Sequence, residues 1–298
     1  MGAALKLDRL KASGVTALRL TPCAEVFRLV RGLYTAAAGA LVAQMDVDTI
    51  ANNLANVSTA GFKRTLMQVQ SDDTMGIYRV QTDPGTTPGT TVPGKSVSDY
   101  VGQLGFGSHV YDTPADFEQG SLQQTGAPLD MAISGPGFFT IATANGIRYT
   151  RDGNFSRNAQ GQLVTQSGDL VLSTNGPITI PDGRVSLDST TGTIAVVDPN
   201  SPASTAVPVA TLRLTEFGNL TGLRPEGSNL FVDGGTASPV NATQSSITQG
   251  YLETSNANVV TSMVGLITAQ QWFDANTKMI QTQDTMNSEA ITNVGQNS

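Results

Sequence analysis

Residues 33–54 read LYTAAAGALVAQMDVDTIANNL, and this stretch decides the architecture. Leu33, Ala37, Ala40, Gln44, Val47, Ala51 and Leu54 recur at alternating spacings of four and three, the seam of a helix that packs on other helices. Its many alanines favour helix intrinsically and allow close helix approach. The run ends near Ser58, and Gly61 is the expected break.

The other end of the chain carries the same signal. Val259, Met263, Leu266, Gln270, Phe273, Thr277 and Ile280 alternate four and three, continuing through Asp284, Asn287, Ile291 and Val294. The spacing predicts a helix over 256–293, capped by Ser255 or Asn256. Trp272 and Phe273 read as core residues, of a core within the chain or between subunits.

Between the ends the period changes. Residues 71–108 hold Asp83-Pro84-Gly85, Pro88-Gly89 and Pro93-Gly94 among threonines, which predicts a long connection or an extended arm. From Val110 to Gln249, short apolar runs alternate with turns. Phe138–Ile141, Leu163–Thr165, Leu170–Leu172, Ile178–Ile180, Ile194–Val197, Val209–Leu214 and Leu230–Val232 read as strands. Ala144-Asn145-Gly146 and 159–162 read as hairpin loops. Pro181, Pro199, Pro202 and Pro208 fall between runs. The expected fold class is α+β: long N- and C-terminal helices in a coiled-coil-like helical domain, with a central all-β domain of sandwich or barrel type. The expected segments are 1–28, 29–66 (helix and motif), 67–109 (connection), 110–250 (β domain) and 251–298 (C-terminal helix). Two helices alone have too little mutual surface to hide both apolar stripes. Copies of the chain sharing those faces would hide them.

Composition excludes several functions. Only 14% of the 298 residues are charged and the net charge is −7, so there is no basic footprint for nucleic acid. Cys23 is the single cysteine, which rules out an internal disulfide or a cysteine-based zinc site. The single histidine, His109, lies in a glycine-rich stretch and reads as a turn residue. GQLGFG at 102–107 lacks the spacing of a dinucleotide loop, and GxSxG, HExxH, Walker and CxxC patterns do not occur. Asp130, Asp152 and Asp169 lie beside predicted turns, where a carboxylate caps its own backbone. Arg148, Arg151 and Arg157 read as a solvated or domain-contact surface. No catalytic, cofactor or metal site and no small-molecule substrate is expected.

Three stretches carry a specific resemblance. Arg31–Gly39 (RGLYTAAAG) with Ile50–Lys63 (IANNLANVSTAGFK), Leu129–Phe139 (LDMAISGPGFF) with Tyr149–Phe155 (YTRDGNF), and Gln249–Val259 (QGYLETSNANV) resemble the signatures of the bacterial flagellar rod and hook proteins. They fall in the family's order and cover nearly all of residues 29–298. The resemblance implies a structural subunit of the basal-body rod, of distal or proximal type, in preference to the larger hook protein. Such a subunit polymerises helically through its terminal helices, transmits torque and encloses the export channel. It also implies partners among its own copies, other axial proteins and the flagellar export apparatus, and export without a cleaved signal peptide. Assembly residues implied on the helices and motifs are Leu33, Ala37, Ala40, Val47, Ala51, Leu54, Val259, Met263, Leu266, Phe273 and Ile280. Asn52, Asn53, Asn56 and Ser58 would satisfy groups where the first helix ends, and Gly61 would let the chain turn. Gly135 and Gly137 would admit a neighbouring strand before Phe138 and Phe139 enter the core. The alternative reading is a surface adhesin or carbohydrate-binding β module with helical ends. A hydrolase using Asp130 and Asp152 ranks below it.

Residues 1–28 stand apart from that family pattern. They carry five Lys/Arg against two Asp/Glu, whereas the remainder is strongly acidic, and they contain no continuous apolar run before a small-residue cleavage site. Translation is expected to start at Leu29 or Val30. Mass spectrometry of the native amino terminus checks this, and a peptide containing Cys23 would refute it.

Overall fold

The computed structural model describes residues 22–72, 74–80, 98–105, 107–197, 206–242 and 244–296. The expected extension therefore lies outside the described residues up to position 21, as do the turns at 83–94, Pro199 and Pro202. Helix α1 (Pro22–Ala55) and helix α2 (Val259–Gln296) flank a region of short strands. The expected boundary between residues 28 and 29 falls inside α1. At ~1.5 Å per residue the two helices are about 51 and 57 Å long.

The helices lie antiparallel. Gly32 faces Gln283, Gly39 faces Asn276 and Ile50 faces Gly265. Small residues make this approach possible: a Cβ on Gly39 would sit 3.0 Å from Asn276 Oδ1. Ala36, Ala40 and Ala43 are buried on α1, and Ala269 on α2. The observed seam is thus shifted by about one residue from the expected one, because glycine and alanine fit the tight contact. Asn258, rather than Ser255 or Asn256, caps α2, its Oδ1 accepting from the N–H groups of Val260 (2.9 Å) and Thr261 (3.2 Å).

After α1 the chain forms an antiparallel ribbon. Gln68–Ser71 pairs with Ser108–Asp112, and Thr74–Val80 pairs with Ser98–Gly105. Residues 71–108 are therefore an extended arm at both described ends, and the base of that arm lies against Ala38 of α1. His109 Nδ1 is 2.7 Å from Asp72 Oδ1 across this base.

The β region is antiparallel throughout its described pairings. Strand Phe138–Thr143 lies at the centre, flanked by Gly146–Thr150 and, in different parts, by Leu170–Ser173 and Leu214–Phe217. Side chains alternate along a strand, so Phe138 and Phe139 serve opposite faces of one sheet. Phe139 joins Met131, Ile133, Ile141, Phe155, Leu163, Val171, Ile194 and Ile247 in the larger core, beneath the three-stranded sheet of Arg184–Asp188, Thr193–Val197 and Val207–Thr211. Phe138 enters a second, aromatic core with Tyr149, Phe217, Leu223 and Phe231, packed on Phe117. Its ring stands edge-on to Phe117 at 5.4 Å and to Phe217 at 5.5 Å.

Several strand expectations shift. The 209–214 run splits into Val207–Thr211 and Leu214–Phe217. Residues 178–180 form only a single bridge, Gln162 to Thr179. Pro208 lies inside a strand, not between runs. That strand is at the sheet edge, where a missing N–H is tolerated. Phe138→Ala is expected to cost about 3–5 kcal/mol by urea denaturation, while Ile147→Ala, on an exposed side chain, stays within about 0.5 kcal/mol.

Candidate functional site: the junction between helices and β domain

In this chain 190 residues separate Lys63 from Glu253, yet their charged groups meet at 2.6 Å with both side chains fully buried. The local chain explains how Lys63 arrives. At the end of α1, Asn53 bonds Thr65 twice: Nδ2 donates to the carbonyl and Oδ1 accepts from the N–H, each at 2.8 Å. Asn56 Nδ2 donates to Asn52 O, and Asn56 Oδ1 accepts from the Thr59 hydroxyl. Gly61 adopts φ +67, a conformation that favours glycine. A Cβ there would lie 2.4 Å from the backbone nitrogen of Asp152. Gly61 N–H donates to Glu253 O, and Asn229 Nδ2 donates to Ala60 O.

Glu253 is the hub. Its Oε1 accepts from Lys63 Nζ and from the N–H of Gly120 (2.8 Å), and its Oε2 accepts from Arg151 (3.3 Å). Lys63 also donates to Glu118 O, and Arg151 to Gly135 O. The Arg151 guanidinium lies 4.8 Å over the Phe138 ring, while its Nε has no hydrogen-bond partner among the described residues. Burial pushes the Lys63 and Arg151 pKa values down, opposed by the Glu253 charge. Two cations and one anion are thus held away from water.

A second tie runs beside it. Asn256 Oδ1 accepts from Arg64 N–H, and its Nδ2 donates to the carbonyls of Asp116 and Glu118. Arg64 pairs with Asp116. Burial acts to raise the Asp116 pKa. The Glu118 N–H and Arg64 outweigh it, and the net shift is downward. Asn256 therefore joins three segments and is not a helix cap.

The carboxylates considered for hydrolysis have structural surroundings. Asp152 accepts from the N–H of Asn154, forming the expected turn; burial raises its pKa and the Asp130 charge adds to this. Of the two surroundings expected for Arg151, a solvated surface or a domain contact, it has the second, buried on Glu253 at the junction. Arg148 pairs with Glu226 and Arg157 with Asp182, so the three arginines do not act together. No cluster of three or more metal-ligating side chains occurs among the described residues. A cleft of about 720 Å³ lies between the end of α1 and the turn at 227–230, lined by Asp48, Asn52, Asn56 and Asp152.

The expected helix residues divide. Ala40 is buried, Leu33, Ala37, Val47 and Leu54 are half-buried, and Ala51 and Asn52 are exposed. On α2, Leu266, Phe273 and Ile280 are half-buried, while Val259 and Met263 are exposed. Trp272 is 65% exposed, so no core forms around it within one chain. Tyr34, Leu41 and Met45 on α1, and Val260, Val264 and Ile267 on α2, are exposed on sides turned away from the seam. Sequence reasoning missed the roles of Glu253, Arg151 and Asn256. The available signal was a charge within an apolar strand, Tyr-Leu-Glu at 251–253, in a chain poor in charge.

Residues 33–63 match the family described as flagella basal body rod protein, residues 132–196 the flagellar hook protein FlgE/F/G D1 domain, and residues 248–293 the C-terminal region of the flagellar basal body rod FlgEFG proteins. The chain is 35% identical over 266 residues to the flagellar basal-body rod protein FlgG of Borreliella burgdorferi, covering 87% of this chain and 96% of that one. It is 33% identical over 272 residues to FlgG of Bacillus subtilis, covering 88% and 98%. It is 29% identical over 263 residues to the rod protein FlgF of Caulobacter vibrioides, covering 88% and 97%.

Removing one partner from a buried ion group leaves the others uncompensated. Glu253→Gln is expected to cost about 3–5 kcal/mol in chemical denaturation. Asp182→Asn, at a carboxylate that is 96% exposed, should change stability by about 0–1 kcal/mol.

Proposed function

The chain belongs to the flagellar basal-body rod protein family and is a structural rod subunit, and we propose that it polymerises through the outer faces of α1 and α2. The observation that carries this is the pair of apolar faces directed away from the helix–helix seam. Tyr34 and Leu41 are 69% and 67% exposed on one helix, and Val260 and Val264 are 69% and 59% exposed on the other. The α1–α2 pair covers only one side of each helix. Further helices of the same kind cover the rest, which builds a cylinder with the helices inside and the β region outside.

In this reading the rod transmits torque and encloses an export path, and the partners are copies of the chain, other axial proteins and the export apparatus. The location is the basal body, reached without a cleaved signal peptide. A non-catalytic role is supported by the turn and ion-pair duties that occupy Asp152, Glu253, Lys63 and Arg151. The acidic net charge supports the absence of a nucleic-acid partner. Among the rod types the chain stands nearer FlgG: in Caulobacter vibrioides FlgG is 35% identical and FlgF 29%. The adhesin reading is not favoured, since it leaves the apolar faces unexplained.

Leu41→Glu and Ile267→Glu test the proposal. Both positions are exposed in the single chain, so thermal stability of the purified protein should hold within about 0.5 kcal/mol. Motility and rods visible in basal-body electron micrographs should be lost. Normal rods in both variants would overturn helix-mediated assembly.

A further inference from the structure

The outer faces are not uniformly apolar. The outer face of α1 carries Asp48, and that of α2 carries Lys278 together with Asp274 and Glu289. On α1, Tyr34, Leu41 and Asp48 follow at intervals of seven along the exposed side. On α2, Lys278, Thr285 and Thr292 follow at the same interval, also exposed. Lys278 is the only cation in α2. It forms no ion pair among the described residues, Asp274 one turn earlier included. Asp48, which also lines the cleft at the end of α1, accepts one hydrogen bond from Gln44 Nε2 at 3.2 Å and forms no ion pair among the described residues. The other acid in this part of α1, Asp46, is turned towards the α2 seam, where burial raises its pKa.

We propose that Lys278 of one copy pairs with Asp48 of a second copy and sets the register of helix packing between them. The proposal rests on the rod-subunit reading and names the contact that reading lacks. Copies of one polarity bring α2 of one against α1 of the next in antiparallel fashion. Leu41 and Tyr34, seven and fourteen residues before Asp48, then meet Thr285 and Thr292, seven and fourteen residues after Lys278. Those threonines suit a dry contact. Thr285 Oγ1 donates to the carbonyls of Gln281 and Thr282, and Thr292 Oγ1 donates to Ser288 O. Their hydroxyls are satisfied within the helix, so only methyl surface needs covering. Within one chain the pair cannot form. Lys278 stands level with residue 37 in the hairpin, about 16 Å along the axis from Asp48, and the two point to opposite sides.

Two experiments on the full chain, expressed in place of a flagellated strain's own copy, test this. In the first, Asp48→Cys and Lys278→Cys are combined on a Cys23→Ser background and isolated basal bodies are oxidised. A ladder of disulfide-linked multimers of this chain is expected, and neither single cysteine should give one. In the second, Asp48→Lys and Lys278→Glu should each lower the protein recovered in rods by roughly tenfold. The double exchange should restore recovery to near the starting value. Single reversals without effect, an unrescued double exchange, or cross-links only to a different axial protein would overturn the pairing. If Leu41→Glu still abolished rods in those cases, the rod reading would stand without it. A starting chain that formed no rods at all would remove both.

Discussion

The carboxylate of Glu253 is the constraint on which the rest of the molecule depends. It lies where the chain leaves the β region for α2, and it reaches Lys63, just past α1, together with Arg151 and the Gly120 backbone. Such a group stabilises little relative to a well-packed apolar one, because desolvating three charges offsets most of their attraction. It is instead intolerant of error. A helix entering at another height would strand a bare charge away from water. Neighbouring bonds from Asn53 to Thr65 and from Asn256 to Arg64, Asp116 and Glu118 repeat the restriction with uncharged partners. Both helices are thus anchored at one place, by the residues on either side of the β region.

That anchorage reaches the core through a single strand. Phe138 lies under the Arg151 guanidinium and opens the aromatic cluster, while Phe139, its neighbour, opens the larger aliphatic core on the other face. Gly135 and Gly137 precede them, in close contact with Gln244 and Ser245, and Gly137 N–H donates to the Ser245 hydroxyl. The strand thus carries a core on each of its faces.

Each helix has a packed side and an exposed side. The seam inside one chain includes Gly32, Ala36, Gly39, Ala40 and Ala43, small residues that let the helices approach closely. Tyr34, Leu41, Val260, Val264 and Ile267 stay outside, and threonines along α2 turn their hydroxyls onto their own backbone. The charged and polar ties concentrate at the junction, and exposed apolar residues lie along the helix faces.

Helical ends and a β-rich middle were legible because periodicity is a local property. Alternation of four and three over 33–54 and 259–294, against short apolar runs between turns, determines element type without reference to distant residues. The turn at Gly61 was legible on the same ground. The family, too, followed from contiguous motifs. What those motifs do was decided by tertiary structure. The face of α1 that turns inward depends on how closely α2 approaches, and only small residues permit the observed distance, which moved the seam off the expected line. Asn256 looked like a cap because caps are local, yet its side chain is drawn to Arg64 and Asp116 across the junction. Arg151 read as solvated or at a domain contact, and local sequence did not decide between them. Its burial beside Glu253 and Lys63 arises from three chain segments converging, and no spacing along the sequence encodes a convergence of that kind.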